Sequence, residues 1–213
     1  MKKTTQFTAL GLSSIALLMA GCKSDAKSAL TITDSITDKK AQLIEEFTSL
    51  NKQEKDLQPL FEKTLEEDDE FATLRDGSSP VFENIQFRHD ILEKIDELKG
   101  SFEQEQDSLQ KLDEKELPKE LTDEVRQSLG DLSKQLTAFQ KFYSDSLSNQ
   151  KNYFESLADE KATYETFTDG LSSLNEKHEE SNQHIVELDE TVNKLNKSNT
   201  ELHDQLEEQM EKK

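Results

Sequence analysis

The chain has 213 residues, 26 of them basic and 46 acidic, giving a formal net charge of −20, and only 32% of its residues are hydrophobic, with no tryptophan. Such a charge repels nucleic acid and bare anionic lipid, and no basic run along the chain offsets it. With 34% of residues charged, the composition approaches that of disordered chains, which excludes a folded core unless the apolar residues keep a strict period.

The first segment reads as a signal peptide, residues 1–21. Lys2 and Lys3 form a short cationic region, Phe7 to Met19 an apolar one, and Ala20 and Gly21 place small residues before Cys22. The apolar run is too short to remain as a spanning helix. Cys22 is the only cysteine, so an intramolecular disulfide is excluded. The stretch LLMAGC, residues 17–22, resembles the lipobox of bacterial lipoproteins, with Met19 where that motif usually has Leu. The resemblance implies a diacylglyceryl group on the Cys22 sulfur and cleavage between Gly21 and Cys22. It also implies retention at the extracytoplasmic face of the cell membrane, since two acyl chains hold a protein stably where one does so marginally. The mature chain then carries 24 basic and 46 acidic residues, a net charge of −22. Residues 22–27 are expected to form the lipid-anchored tether and 28–213 a single helical bundle domain.

After the tether, one loose helical stripe contains Ile32, Ile36, Leu43, Phe47, Leu50, Leu57, Phe61 and Leu65. Pro59 lies inside it and removes a backbone donor, which predicts a kink or a break. A second stripe runs Ile91, Ile95, Leu98, Phe102, Glu105, Leu109, Leu112, and a third from Val125 through Leu136, Phe139, Tyr143, Ser146, Gln150 and Tyr153 to Leu157. The last begins at Tyr164 and passes Phe167, Leu171, Leu174, His178, Ser181 and Leu188 to Leu206, with gaps alternating three and four. This is the a/d pattern of coiled-coil packing. Asp76-Gly77-Ser78-Ser79-Pro80 and Leu117-Pro118 are breakers, and a change of phase near Asp159-Glu160-Lys161 marks the third boundary. The predicted fold is all-α, an elongated antiparallel up-and-down four-helix bundle with helices over 28–75, 80–114, 118–158 and 162–211. The turns near Gly77 and Asp159 then lie away from the membrane, and the Pro118 turn and the C-terminus near it.

The lipobox, the long acidic heptad helices, and the blocks EEFTSLNKQEKDLQPLFEKTLE (45–66) and FQKFYSDSLSNQKNYFESL (139–157) together resemble the YkyA-type cell-wall-binding lipoproteins of Gram-positive bacteria. The resemblance covers essentially the whole mature chain. It implies an elongated helical bundle on the outer face of the plasma membrane, associated with the cell wall, and it carries no catalytic or ligand residues with it.

Catalytic and metal signatures are missing from the sequence. Three residues before His89, His178, His184 and His203 stand Gln86, Asn175, Ser181 and Thr200, so the Glu-x-x-His pairs of di-metal bundles do not occur. No thiol pair, phosphate loop or nucleophile elbow is present either. The polar seam residues Glu105, Ser146, Gln150 and His178 admit two readings, a small ligand pocket inside the bundle or a set of register-fixing positions. Their spacing fits no metal-ligand pattern, which favours the second. Tyr143, Tyr153 and Tyr164 with Phe139 and Phe167 take seam positions and are expected in the core. Phe142 and Phe154 fall off the seam and are the candidate surface contacts for stacking on sugars. The expected function is that of a non-enzymatic, lipid-anchored interaction protein that binds cell-wall polymer or another surface protein, without cofactor, metal or nucleic acid. The alternative is a structural spacer or a helix-pairing, oligomerising lipoprotein.

Overall fold

The computed structural model describes residues 25–68 and 70–212. Four long helices carry the fold: α1 (Asp25–Glu67), α3 (Pro80–Gln110), α4 (Lys119–Ser156) and α5 (Tyr164–Glu211), with a one-turn helix α2 (Ala72–Asp76) in the first hairpin and a 3-10 turn (Glu114–Glu116) in the second. No strand occurs among the described residues. Each long helix packs against its neighbours in the order α1, α3, α4, α5, and α5 closes the ring on α1. This is the antiparallel four-helix bundle, and at 1.5 Å per residue its longest helix reaches ~70 Å.

The seams pack as the heptad pattern requires over most of their length. Leu43, Leu50, Phe102, Leu132, Phe139 and Leu195 are almost entirely removed from water, and full burial of a side chain of this kind contributes ~1.5–3 kcal/mol. The core of the described residues lies between Ala26 and Leu206. One seam position departs from expectation. Tyr164, expected in the core, is 82% exposed. It is the first residue of α5, and at a helix start a seam residue has no preceding turn to press it against its neighbours.

Helix 1 breaks, but not at Pro59. α1 runs through Pro59 to Glu67. Pro59 and Lys55, whose carbonyl loses its donor at the proline, both lie on the exposed side of α1 and not in the packed core, where an unpaired carbonyl costs most. The interruption falls at 68–71. There the Asp68 carboxylate accepts from the backbone N–H of Ala72 (3.0 Å) and Thr73 (2.6 Å) and from the Thr73 hydroxyl (2.7 Å), which starts α2 as a new helix. Those bonds, the Thr73 hydroxyl first, hold Asp68 below the usual carboxylate range. Gly77 then takes a φ of 80°, which ends α2 in a conformation that glycine adopts without strain. Ser79 is fully buried with its hydroxyl 2.9 Å from that of Thr64, and Pro80 opens α3.

The ends of the bundle are fixed by named contacts. At one end the Asp25 carboxylate accepts from the Asp113 N–H at 2.7 Å, and the Asp25 N–H reaches Glu116 at 3.3 Å. The late turns of α5 lie alongside the early turns of α1 there, since the Asn199 side chain donates to the Thr33 carbonyl at 2.9 Å. At the other end the first and third hairpins meet, with Arg75 Nη2 3.5 Å from the Ala158 carbonyl. α5 begins with a capping box in which Thr163 and Thr166 each bond the other's backbone N–H.

Near this end a ring packs on bare backbone. Tyr153 donates from its hydroxyl to the Phe167 carbonyl at 3.2 Å, and a Cβ on Gly170 would stand 2.0 Å from the Tyr153 ring. A Cβ on Gly100, in α3, would meet nothing within 4 Å. Helix propensity alone favours alanine over glycine by ~1 kcal/mol at either site. Gly100→Ala should therefore raise stability by ~0.5–1 kcal/mol, and Gly170→Ala should lower it by ~1–3 kcal/mol through overpacking. Denaturant unfolding of both variants checks this; stabilisation by both would remove the Tyr153 ring from the α5 backbone.

Candidate functional site

The core thins where the seams change character. Along α1 nothing between Leu50 and Phe61 is buried, and along α5 nothing before Ser181 is buried. A cavity of about 620 Å³ opens there, bounded by α1, α3, α4 and α5. Phe61, Phe154, Phe167, Leu171 and Leu174 form its apolar wall. Arg88, Ser146 and Gln150 form a polar floor, and Glu54 and His178 border it. The volume lies within the range of small-molecule sites, and the mix of an apolar wall with a few convergent polar groups is their usual chemistry.

Arg88 is the centre of the floor. It is only 1% exposed. Its Nη2 donates to Gln150 Oε1 at 2.6 Å and its Nη1 reaches the Tyr143 hydroxyl at 3.4 Å, while its Nε has no partner. Tyr143 in turn donates to Glu54 Oε1 at 2.8 Å, and His178 Nδ1 lies 3.6 Å from Glu54 Oε2. Glu54 therefore balances the guanidinium through the tyrosine hydroxyl. Burial drives the Tyr143 phenol well above its ordinary pKa, against the pull of the Arg88 charge, so the hydroxyl keeps the proton it gives to Glu54. Each of the four long helices contributes a polar side chain at this level.

Three of the polar residues expected on the seams, Ser146, Gln150 and His178, come together here. Glu105 does not: it accepts from the Ser35 hydroxyl at 2.6 Å and pairs with Lys39 on the α1–α3 face. Arg88 and Glu54 are absent from the stripes read in the sequence, although spacing places both on them. Arg88 lies three residues before Ile91, and Leu50, Glu54, Leu57, Phe61 keep gaps of four, three and four. A stripe traced through apolar residues alone skips both.

The two off-seam rings are not free surface groups. Phe154 is 1% exposed, with ring centroids 5.0 Å from Phe61 and 5.2 Å from Tyr153. α4 is pressed between α3 and α5 and buries a face wider than a strict a/d line, so the position beside Tyr153 is core as well. Phe142 is half-buried, its ring 5.0 Å from His184 and capped by the Lys177 ammonium at 5.3 Å. Tyr153, the residue before Phe154, has its phenol pushed up to about 12 by burial.

Elsewhere, the ligand atoms of His203, Asp204 and Glu207 lie within 4.8 Å of one another on α5. His203 Nε2 also approaches Asp34 Oδ1 at 3.2 Å, which makes the imidazole a link between α5 and α1. Gly21 and Cys22, the expected cleavage and lipidation residues, lie outside the described residues. Among the described residues no helix is long and apolar enough to cross a membrane.

Comparison with known families supplies one match. A family model named YkyA, described as "Putative cell-wall binding lipoprotein", covers residues 24–208. No curated protein and no solved structure matches the chain. With the family match spanning nearly the whole bundle, the chain belongs to the YkyA family.

Proposed function

We propose that this chain is a non-enzymatic lipoprotein, anchored to the extracytoplasmic face of the cell membrane through Cys22, that binds the cell wall with the end of the bundle remote from its anchor. The observation that carries the reading is the LLMAGC stretch, which ends two residues before the span matched by a family described as cell-wall binding lipoprotein. The family description names binding and no reaction. Asp25 lies beside the 3-10 turn at 114–116, so an anchor at Cys22 tethers that end of the bundle. α1 then carries the opposite end, built from the hairpins at 68–79 and 157–163, ~60 Å outward. A polymer approaching from outside meets those hairpins first.

Charge constrains how the contact is made. A mature chain of −22 is repelled by anionic wall polymer, so binding rests on uncharged sugar contacts or on bridging divalent cations. Monovalent salt screens the repulsion and does not abolish such binding.

Two measurements test the reading. Metabolic labelling with a fatty-acid analogue should mark the wild-type chain and leave Cys22→Ala unlabelled; label retained by that variant contradicts the anchor. The chain from residue 23 onward should sediment with purified peptidoglycan sacculi, and the bound fraction should hold or rise with added salt. Failure to sediment at every salt and divalent-cation level would overturn wall binding and leave the spacer or helix-pairing role.

A further inference from the structure

The floor of the cavity places an unsaturated cation beneath an apolar wall. Of the five N–H donors of a guanidinium, Arg88 engages Gln150 and Tyr143, the latter at a long 3.4 Å, and its buried Nε has no partner. Burying a charge is costly, and a well-packed apolar residue at such a position is often as stable or more so. The bond to Gln150 links α3 to α4, a register role that a neutral polar side chain also fills, so register alone does not call for an arginine at residue 88. Of the nearby carboxylate, Glu54 Oε1 accepts from Tyr143, and His178 Nδ1 lies 3.6 Å from Oε2. The charged side chains around the cavity are Lys55, Arg88 and Lys177 against Glu54 and Glu62. Lys177 is paired with Glu180 at 2.7 Å, which leaves two cations against two carboxylates, a locally even balance in a chain whose net charge is −20. Arg88, set between the helices, is the principal attraction.

We propose that this cavity binds an amphipathic anion, a molecule with one acidic head and an apolar body, its head on Arg88 and Gln150 and its body along Phe61, Phe154, Phe167, Leu171 and Leu174. A carboxylate or phosphate oxygen there accepts from the edge of the guanidinium that lines the cavity, and charge-assisted bonds of this kind are the strong ones. The five apolar side chains match a hydrocarbon or aromatic body, and the cavity lies between the helices and not at the hairpins of the outer end, so the site is distinct from wall binding. The assignment of the head and body does not depend on the wall-binding role. The source of the ligand does rest on the anchor: Glu54 lies ~45 Å along α1 from Asp25, too far for a bilayer lipid to enter the cavity from the membrane at Cys22. The occupant is a monomeric acid taken up from the medium outside the membrane.

The test is titration calorimetry of the chain from residue 23 onward with sodium dodecanoate, kept below its micelle concentration. Dodecanol and vesicles of anionic phospholipid serve as the other arms. Wild type should bind about one dodecanoate per chain and bind the uncharged alcohol about tenfold more weakly or worse. Arg88→Met keeps the volume and removes the charge. It should reduce dodecanoate affinity by about tenfold while thermal stability holds or rises. Should Arg88→Met fail to fold, Leu174→Trp, at a half-buried wall position, fills the cavity and should abolish binding in a folded chain. Equal affinity for acid and alcohol, or dodecanoate binding undiminished in folded Arg88→Met or Leu174→Trp, overturns the site. So does capture by anionic vesicles alone, which would place the interaction on the outer surface. Loss of sacculus binding with dodecanoate binding intact would remove the wall-binding role and leave this site standing.

Discussion

The fold depends on narrow apolar seams, close to one heptad line on α1 and α5 and wider on α4, which two neighbours enclose. With 32% hydrophobic residues and a charge of −20, the chain has no spare apolar surface with which to build a second layer. Each level of the core is therefore set by a few side chains, and its character changes locally when they change. Where α5 supplies Leu188, Val192, Leu195, Leu202 and Leu206, the bundle is closed and dry. Where it supplies Phe167, Leu171, Leu174 and His178, and α1 supplies Glu54, the helices enclose a cavity. The same pattern that folds the rod thus also opens it.

The surface contributes little to holding the rod together. Most of the ion pairs join residues three or four apart on one helix, such as Lys63–Glu67 and Lys197–Glu201, with both partners well exposed. Pairs of this type are worth ~0–1 kcal/mol. Inter-helix polar contacts instead set register. Asn199 ties α5 to the Thr33 carbonyl of α1, Lys39 and Ser35 meet Glu105 between α1 and α3, and Arg88 meets Gln150 between α3 and α4. Polar groups at core positions fix register at a cost in stability. The Asn199 and Lys39 contacts satisfy that role with their partners inside the chain. Asn199 Oδ1 and Arg88 Nε are both left without a partner, and Arg88 differs in that it lines the cavity.

Helix number, order and direction were legible because heptad gaps and breakers are local features of the sequence. The Asp76 to Pro80 cluster marked the first hairpin, and Leu117-Pro118 the second. The early end of α1 was not legible, because Asp68, the first residue past the helix, is one of many aspartates in the chain, and only its capture of Ala72 and Thr73 shows that it begins α2. The start of α5 was written in Thr163-Tyr164-Glu165-Thr166, a capping box with threonine in place of the usual glutamate. The site was half legible. Ser146, Gln150 and His178 stood out as polar breaks in apolar lines, whereas Arg88 and Glu54 lay on turns that apolar tracing passes over. Phe154 was misplaced because a strict a/d line understates how much of α4 is enclosed by its two neighbours.

The central claim is that the seam of α5 changes character at Ser181, packed beyond it and bordering an open cavity before it. Residue-resolved hydrogen exchange under native conditions reads this directly, because amide protection follows local packing as well as global stability. The account predicts a step along α5: strong protection from about Leu188 to Leu206 and markedly weaker protection from Phe167 to His178, with the partner segment of α1 between Leu50 and Phe61 weakened in the same way. Uniform protection along the whole of α5 would contradict it.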